Sequence, residues 1–169
     1  NNRVLVYDLG GGTFDVSLLR LVDGEFHVET YDGNDALGGA DIDQLLAEWL
    51  ETQYRLLSGR SLISLPSAAA QRRARRRLLV MAEAVKEELS VRETVDVDLS
   101  FLAPQGGDLS VLVTRETLAT LVTPVVEETL RIVRRAMRRV GVSREDIGHV
   151  VLVGGSCRLL LVRERLAAE

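Results

Sequence analysis

The chain has 169 residues, 46% hydrophobic and 27% charged, with a formal net charge of −4. That balance fits one globular domain or two small ones, and it excludes a disordered, collagen-like or disulfide-dense chain. Aromatics at 4% and the acidic balance argue against a stacking platform for single strands and against general nucleic-acid binding. Apolar runs such as 150–153 and 159–162 fall far short of the roughly 18 residues that span a bilayer, and no stretch reads as a signal peptide. The single cysteine, Cys157, allows no internal disulfide and points to a reducing compartment, with the cytoplasm expected. The first residue is not Met and the chain opens on a strand-like run, so a piece of a longer protein is expected.

Residues 3–8 read as a buried strand through Val4, Leu5, Val6 and Tyr7. Residues 9–13 hold three consecutive glycines and read as a loop. Residues 14–22 form a second strand marked by Val16, Leu18 and Leu19. Asp23-Gly24 is a two-residue hairpin signal of type I′, and a third strand follows over 25–31. The opening is a three-strand antiparallel meander. Residues 32–39 are rich in breakers and read as a loop. Ile42, Leu45, Leu46, Trp49, Leu50 and Tyr54 make one apolar stripe of a helix over 41–57. Ser67 is placed to cap a second helix running to 89, with Leu78, Leu79, Ala82, Val85 and Leu89 on one face.

Residues 94–99 alternate, as do 109–113, and Gln105-Gly106-Gly107-Asp108 between them predicts a hairpin. A helical pattern then runs from Thr114 to Gly141. Pro124 inside it either kinks one helix or opens a second one capped by Thr123. Residues 149–153 read as another buried strand, 154–158 as a loop and 159–168 as a last helix. The order predicts a mixed α/β chain. The strand at 149–153 can join the meander with 115–140 as its crossover, leaving 40–114 as an insertion.

The stretch Asp8-Leu9-Gly10-Gly11-Gly12-Thr13-Phe14-Asp15 is the most informative. A strand delivers one acid, glycines turn, a hydroxyl follows, and a second acid comes after it. Glycines let the backbone aim several N–H groups at one anion, as a phosphate requires. Asp8 and Asp15 can face phosphate only with a cation between, and Mg²⁺ held partly through water is the economical choice. No Lys follows and no helix starts, so this is neither a Walker A loop nor a GxGxxG turn. An ordinary Gly-rich hairpin with solvated acids has the same short pattern. Gly154-Gly155-Ser156-Cys157-Arg158 follows a strand and precedes a helix, which suits an anion contact or a plain turn. Leu37-Gly38-Gly39 also allows close backbone approach. Glu83, Lys86 and Ser90 share helical spacing and so one face, and Lys86 is the only lysine. Five arginines within 72–77 read as a solvated face or as a patch for an acidic partner. His27 and His149 have no second ligand at metal spacing and read as structural.

Together these motifs resemble lobe II of the nucleotide-binding domain of the heat-shock protein 70, or DnaK-like, chaperones, in matching order through almost the whole chain. The segment 8–15 is similar to the family's second phosphate loop, and Leu37-Gly38-Gly39-Ala40-Asp41 to its Leu-Gly-Gly-Glu-Asp segment. The segment 83–90 is similar to its adenosine-binding helix, and 151–158 to its closing Gly-Gly-Ser-Thr-Arg loop. The resemblance implies a ribonuclease H-like, actin-type ATPase core over 1–38 and 115–169, with an inserted α+β subdomain over 39–114. It implies ATP or ADP with Mg²⁺ as cofactors. Gly10, Gly11, Gly12 and Thr13 would hold the phosphates, while Asp8 and Asp15 would organise Mg²⁺ and the attacking water, with Thr13 in the catalytic set. Glu83, Lys86 and Ser90 would meet adenine and ribose from the inserted subdomain, and Gly155 and Arg158 would close the adenosine side from the core, with Gly38, Gly39, Gly154 and Ser156 completing the cofactor-binding set.

The implied partners are lobe I of the same protein, client peptides and co-chaperones, without nucleic acid or membrane. The parent is expected to hydrolyse ATP and couple it to peptide binding. This fragment is expected to be inactive by itself, because lobe I's phosphate loop, Lys and acid would lie upstream. Three positions depart from the family pattern: Ala40 for Glu, Glu87 for a residue that packs on adenine, and Cys157 for Thr. A sugar or acid kinase of the same superfamily, and a nucleotide-sensing scaffold without turnover, remain as alternatives.

Overall fold

A computed structural model describes residues 2–62, 65–102 and 109–169. It is mixed α/β. The elements are β1 (Arg3–Leu9), β2 (Phe14–Val22), β3 (Glu25–Asn34), α1 (Gly39–Ser58), α2 (Ala68–Leu89), β4 (Thr94–Asp98), β5 (Ser110–Thr114), α3 (Arg115–Arg139), β6 (Ile147–Val153) and α4 (Leu160–Ala168). They fall into two compact units. The first comprises Asn1–Asp41 with Thr123–Glu169, and the second Ile42–Val122.

The first unit holds a four-stranded sheet in the order β3-β2-β1-β6. The β1–β2 and β2–β3 pairs are antiparallel, and β6 runs parallel to β1. Asp23 and Gly24 both have positive φ, 51° and 87°, as the type I′ turn between β2 and β3 demands. Alternation fixes which face is covered: Leu5, Tyr7 and Leu9 of β1 and Phe14, Val16 and Leu18 of β2 are all buried. The Tyr7 and Phe14 rings meet at 4.7 Å between centroids. The Tyr7 hydroxyl lies 2.6 Å from Thr129 Oγ1, which donates to the Val126 carbonyl, so both buried polar groups are satisfied. Burial, the first cause, pushes the Tyr7 phenol up to about 12.

The second unit buries most of the expected stripes, but Leu79, expected on the buried face of α2, is exposed. Ile42, Leu46, Leu50 and Tyr54 of α1 are buried, as are Ala74, Leu78, Ala82, Val85 and Leu89 of α2. Ser67 caps α2 and accepts from the Ala70 N–H. At the other end Arg115 donates to the carbonyls of Leu89 and Arg92, so the last turn of α2 is closed by a side chain from α3. Strands β4 and β5 pair antiparallel from Thr94↔Thr114 to Asp98↔Ser110. The turn expected between them falls on 103–108, outside the described residues.

Two expectations change and one open alternative closes. The third strand continues to Asn34, because Asp32 and Gly33 pair with Val16 and Asp15 instead of turning. The strand at 147–153 is an edge strand, not a buried one, and Val150 to Val153 are 38–48% exposed. Pro124 lies inside one continuous helix, not at the start of a second. It removes one backbone donor there, next to the 122/123 division of the two units.

Candidate functional site

In the first unit the two acids and three of the glycine segments meet. Register makes Asp8 and Asp15 direct cross-strand partners, one residue in from the Leu9–Phe14 pair that closes the turn. Directly opposed residues project to the same face of a sheet. Here it is the face opposite Tyr7, Leu9, Phe14 and Val16, so the carboxylates stand away from the core. Two like charges so placed repel unless a cation or donors intervene.

Between them, the Gly10 N–H donates to the Thr13 carbonyl at 3.0 Å and tightens the turn. The loop's carbonyls are tied inward from two sides. Gly10 O accepts from the Gly39 N–H at 2.9 Å and from Ser156 Oγ at 3.4 Å. Gly11 O accepts from the Ala40 N–H at 2.7 Å. The N–H groups of Gly11, Gly12 and Thr13, and the Thr13 hydroxyl, have no partner among the described residues, and all three residues are exposed. Carbonyls tied to neighbouring loops and N–H groups left without partners are an arrangement chemically suited to cradling an anion.

Backbone packing explains the glycines around it. At Gly38, a Cβ would lie 2.8 Å from the N, Cα and C atoms of Gly12. Gly154 has φ +90°, and a Cβ there would lie 2.1 Å from Leu9 O and 3.0 Å from Asp8 Oδ1. Only glycine fits where three loops touch backbone to backbone. Gly38 and Gly39 therefore brace the cradle through their backbones. The Gly38 N–H is spent on Asp41 Oδ2 at 2.8 Å, and that of Gly39 on Gly10.

The remaining residues of the closing loop divide. Ser156 and Cys157 are buried, whereas Gly155 and Arg158 are exposed. Cys157 Sγ lies 2.9 Å from the Val153 carbonyl, and burial pushes the thiol up, so it stays protonated and unreactive.

Two residues emerge that sequence reasoning passed over in this unit. Gly33 lies opposite Asp15, and a Cβ there would reach within 2.7 Å of Asp15 Oδ1. Its absence gives the Asp15 carboxylate room. Asp32 accepts from Arg135 Nε at 2.6 Å and lies 3.3 Å from Arg139, tying β3 to α3. The Arg135 hydrogen bond, the largest cause, holds the Asp32 carboxyl below its ordinary value. The signal was the Asp-Gly pair, read as a breaker when it belonged to a strand.

The second unit holds Glu83, Lys86 and Ser90 on α2. Glu83 is exposed. Lys86 Nζ sits 2.8 Å from Asp43 Oδ1, with side chains only 12% and 14% exposed, a short and largely buried ion pair. Burial, the first cause, raises the Asp43 carboxyl, with Glu83 and Glu87 adding and Lys86 opposing. Asp43 is the residue missed here; its place one residue past Ile42 gave no hint of an α2 partner. Ser90 is the C-cap of α2, and its hydroxyl donates to the Glu87 carbonyl at 2.5 Å.

Among the described residues no cluster of three or more metal-ligating side chains occurs. The donor set at the cradle still fits Mg²⁺, which takes one or two carboxylates and completes its shell with water and phosphate. Among the described residues, no helix is long and apolar enough to cross a membrane.

The model of the family described as "Hsp70 protein" matches residues 1–168. The chain is similar to a chaperone protein HscA homolog of Shewanella denitrificans, 39% identical over 163 residues, 96% of this chain and 24% of the relative. It is 43% identical to a Pseudomonas fluorescens HscA homolog over 164 residues, 97% of this chain and 24% of the relative. It is likewise 43% identical to the chaperone protein HscA of Yersinia pseudotuberculosis over 163 residues, 96% of this chain and 23% of the relative. The chain thus spans about a quarter of the length of these curated relatives.

Proposed function

Because the chain belongs to the Hsp70 protein family, we propose that it forms the ATP-binding second lobe of a chaperone ATPase domain. The core subdomain is 1–38 with 115–169, and the inserted one 39–114. The carrying observation is the β1–β2 loop, whose carbonyls at Gly10 and Gly11 are held inward while the N–H groups of Gly11, Gly12 and Thr13 are left unpartnered beside Asp8 and Asp15. Those donors, with the Thr13 hydroxyl, take the terminal phosphates. Asp8 and Asp15 hold Mg²⁺ through water and orient the attacking water. The bound cation neutralises phosphate charge, which lets two carboxylates stand beside an anion.

Gly155 and Arg158 offer a second contact from the loop after β6. On α2, Glu83, Lys86 and Ser90 contact adenine and ribose. Lys86 then shares its charge between the ligand and Asp43. Turnover, partner lobe, client peptides and co-chaperones belong to the longer parent protein, where nucleotide state sets peptide affinity.

The test is calorimetric titration of Mg-ATP into the chain and into an Asp8→Ala/Thr13→Ala variant, repeated on the full-length parent. Binding heat that the variant loses supports the reading. Equal heats in both overturn it. The engagement of Lys86 by Asp43, with Ala40 at the ribose position, favours one second reading: a nucleotide-sensing scaffold without turnover. Hydrolysis by the parent that depends on Asp8 excludes that alternative.

A further inference from the structure

The ion pair that joins α1 to α2 is unlike the others on the molecule. Lys86 Nζ lies 2.8 Å from Asp43 Oδ1, with side chains 12% and 14% exposed. No other ion pair among the described residues has both side chains under a fifth exposed. Asp43 Oδ1 is shut off from solvent, and no well-directed hydrogen bond reaches it from the described residues. Burying two charges costs about as much as their attraction supplies, or more, and an apolar pair of similar size would hold two helices together as well. Charges kept at this point indicate a use beyond packing.

Three carboxylates lie about this one ammonium. Glu83 and Glu87, three positions before Lys86 and one after it, are both exposed. Their charges reach Asp43, adding to the burial that raises its carboxyl. One positive charge against three negative ones makes the neighbourhood acidic. A phosphate brought to Lys86 meets that excess negative charge, which an ammonium already paired with Asp43 does not offset. A hydroxyl or a ring nitrogen accepts from an ammonium N–H without that repulsion.

We propose that Asp43 is a positioning residue: by neutralising Lys86 it makes this face of α2 take the uncharged sugar and base of a ligand and reject phosphate. The proposal deepens the nucleotide reading above and rests on it for the identity of the ligand. A lysine without such a partner is a common phosphate ligand, acting as a compact point charge. Asp43 removes that option. Lys86 supplies the donor, and Asp43, from α1, decides which acceptors it can meet.

Lys86 is the only lysine of the chain, so labelling lysine with ¹³C gives a single Cε signal that reports at this point. The test follows that signal by NMR during titration with adenosine and, separately, with inorganic tripolyphosphate free of divalent cations. In the unaltered chain adenosine should move it saturably, and tripolyphosphate should bind there at least about tenfold more weakly, a difference of 1.4 kcal/mol or more. Asp43→Asn keeps the size and a carbonyl acceptor but loses the charge. In that variant tripolyphosphate should bind at least about tenfold more tightly than in the unaltered chain, and adenosine should weaken. Circular dichroism checks that the variant folds. Glu87→Gln, at an exposed position, is the second variant and should tighten tripolyphosphate about twofold. A role confined to packing would weaken both ligands alike or neither, and would never produce a gain.

Three results overturn the proposal: equal affinity of the two ligands at Lys86 in the unaltered chain, an unchanged preference in both variants, or a Lys86 signal that neither ligand moves, which would leave the pair a staple between helices. Loss of Mg-ATP heat in Asp8→Ala/Thr13→Ala together with any of these three leaves the nucleotide reading standing and removes this one. Mg-ATP heat untouched by that loop variant removes the nucleotide reading, while the preference at Lys86 is still read directly with adenosine and tripolyphosphate.

Discussion

Replacing Gly154 by Ala tests the claim that three loops meet at backbone contact. Two costs add. The backbone sits at φ 90°, ψ 150°, a region open essentially to glycine alone, which costs another residue about 1–3 kcal/mol. The new Cβ would also lie 2.1 Å from Leu9 O, so β1 or the loop must shift by about an ångström. Overpacking of that kind costs roughly 1–3 kcal/mol more. The sum centres near 4 kcal/mol, a large part of a domain's usual 5–15 kcal/mol. With a urea m-value of about 2 kcal/mol/M, the midpoint falls by about 2 M.

Two controls in the same unit separate the causes. Gly141 has φ 63°, but a Cβ added there would meet nothing within 4 Å, so Gly141→Ala isolates the backbone cost at about 1 kcal/mol. Gly155 has open space and no positive φ, so Gly155→Ala should be neutral within about 0.5 kcal/mol. Urea unfolding followed by circular dichroism ranks the three. A midpoint for Gly154→Ala equal to that of Gly141→Ala would refute the close approach and, with it, the braced geometry of the Asp8 loop.

Two further expectations concern the first unit. Thr129→Val strands the buried Tyr7 hydroxyl and should cost about 1–3 kcal/mol, whereas Tyr7→Phe leaves Thr129 bonded to Val126 and should cost only about 0.5–1.5 kcal/mol; the reverse order in thermal unfolding would contradict the network. Asp32 is held ionised in the fold by Arg135, so its contribution is present above the ordinary Asp value and is lost as pH falls through the lower folded value. The stability gap between wild type and Asp32→Asn, about 1 kcal/mol at pH 7 given the half-exposed Arg135, should therefore close below about pH 4, and a gap that persists there would refute it.

Much of the local structure was legible because local chemistry specifies it. Asp23-Gly24 demanded a turn with two positive φ angles, and that turn formed. Ser67 announced the start of α2, and the apolar stripes of α1 and α2 named their buried faces. The grouping of Asp8 with Asp15 also followed, since a short glycine turn between two strands can only place its flanking residues opposite each other. Misreadings came where a local signal competed with a distant partner. Asp32-Gly33 carries turn residues, yet strand pairing with β2 overrides them, and Arg135 and Arg139 hold Asp32 from 103 and 107 residues away. The strand at 147–153 has a core composition, yet among the described residues it stands at the end of the sheet and Val150 to Val153 are exposed.

By itself, then, the sequence determined the elements, their amphipathic faces and the run of acids, glycines and hydroxyl around the β1–β2 turn, because these depend on neighbours one to four positions away. Tertiary structure decided what each of those groups is free to do. It tied the Gly10 and Gly11 carbonyls to Gly39, Ser156 and Ala40, leaving the loop's donors outward, and it committed Lys86 to Asp43. Those pairings join segments 29 to 146 residues apart. Such contacts form only when burial and register bring the segments together, and no periodicity along the chain encodes them.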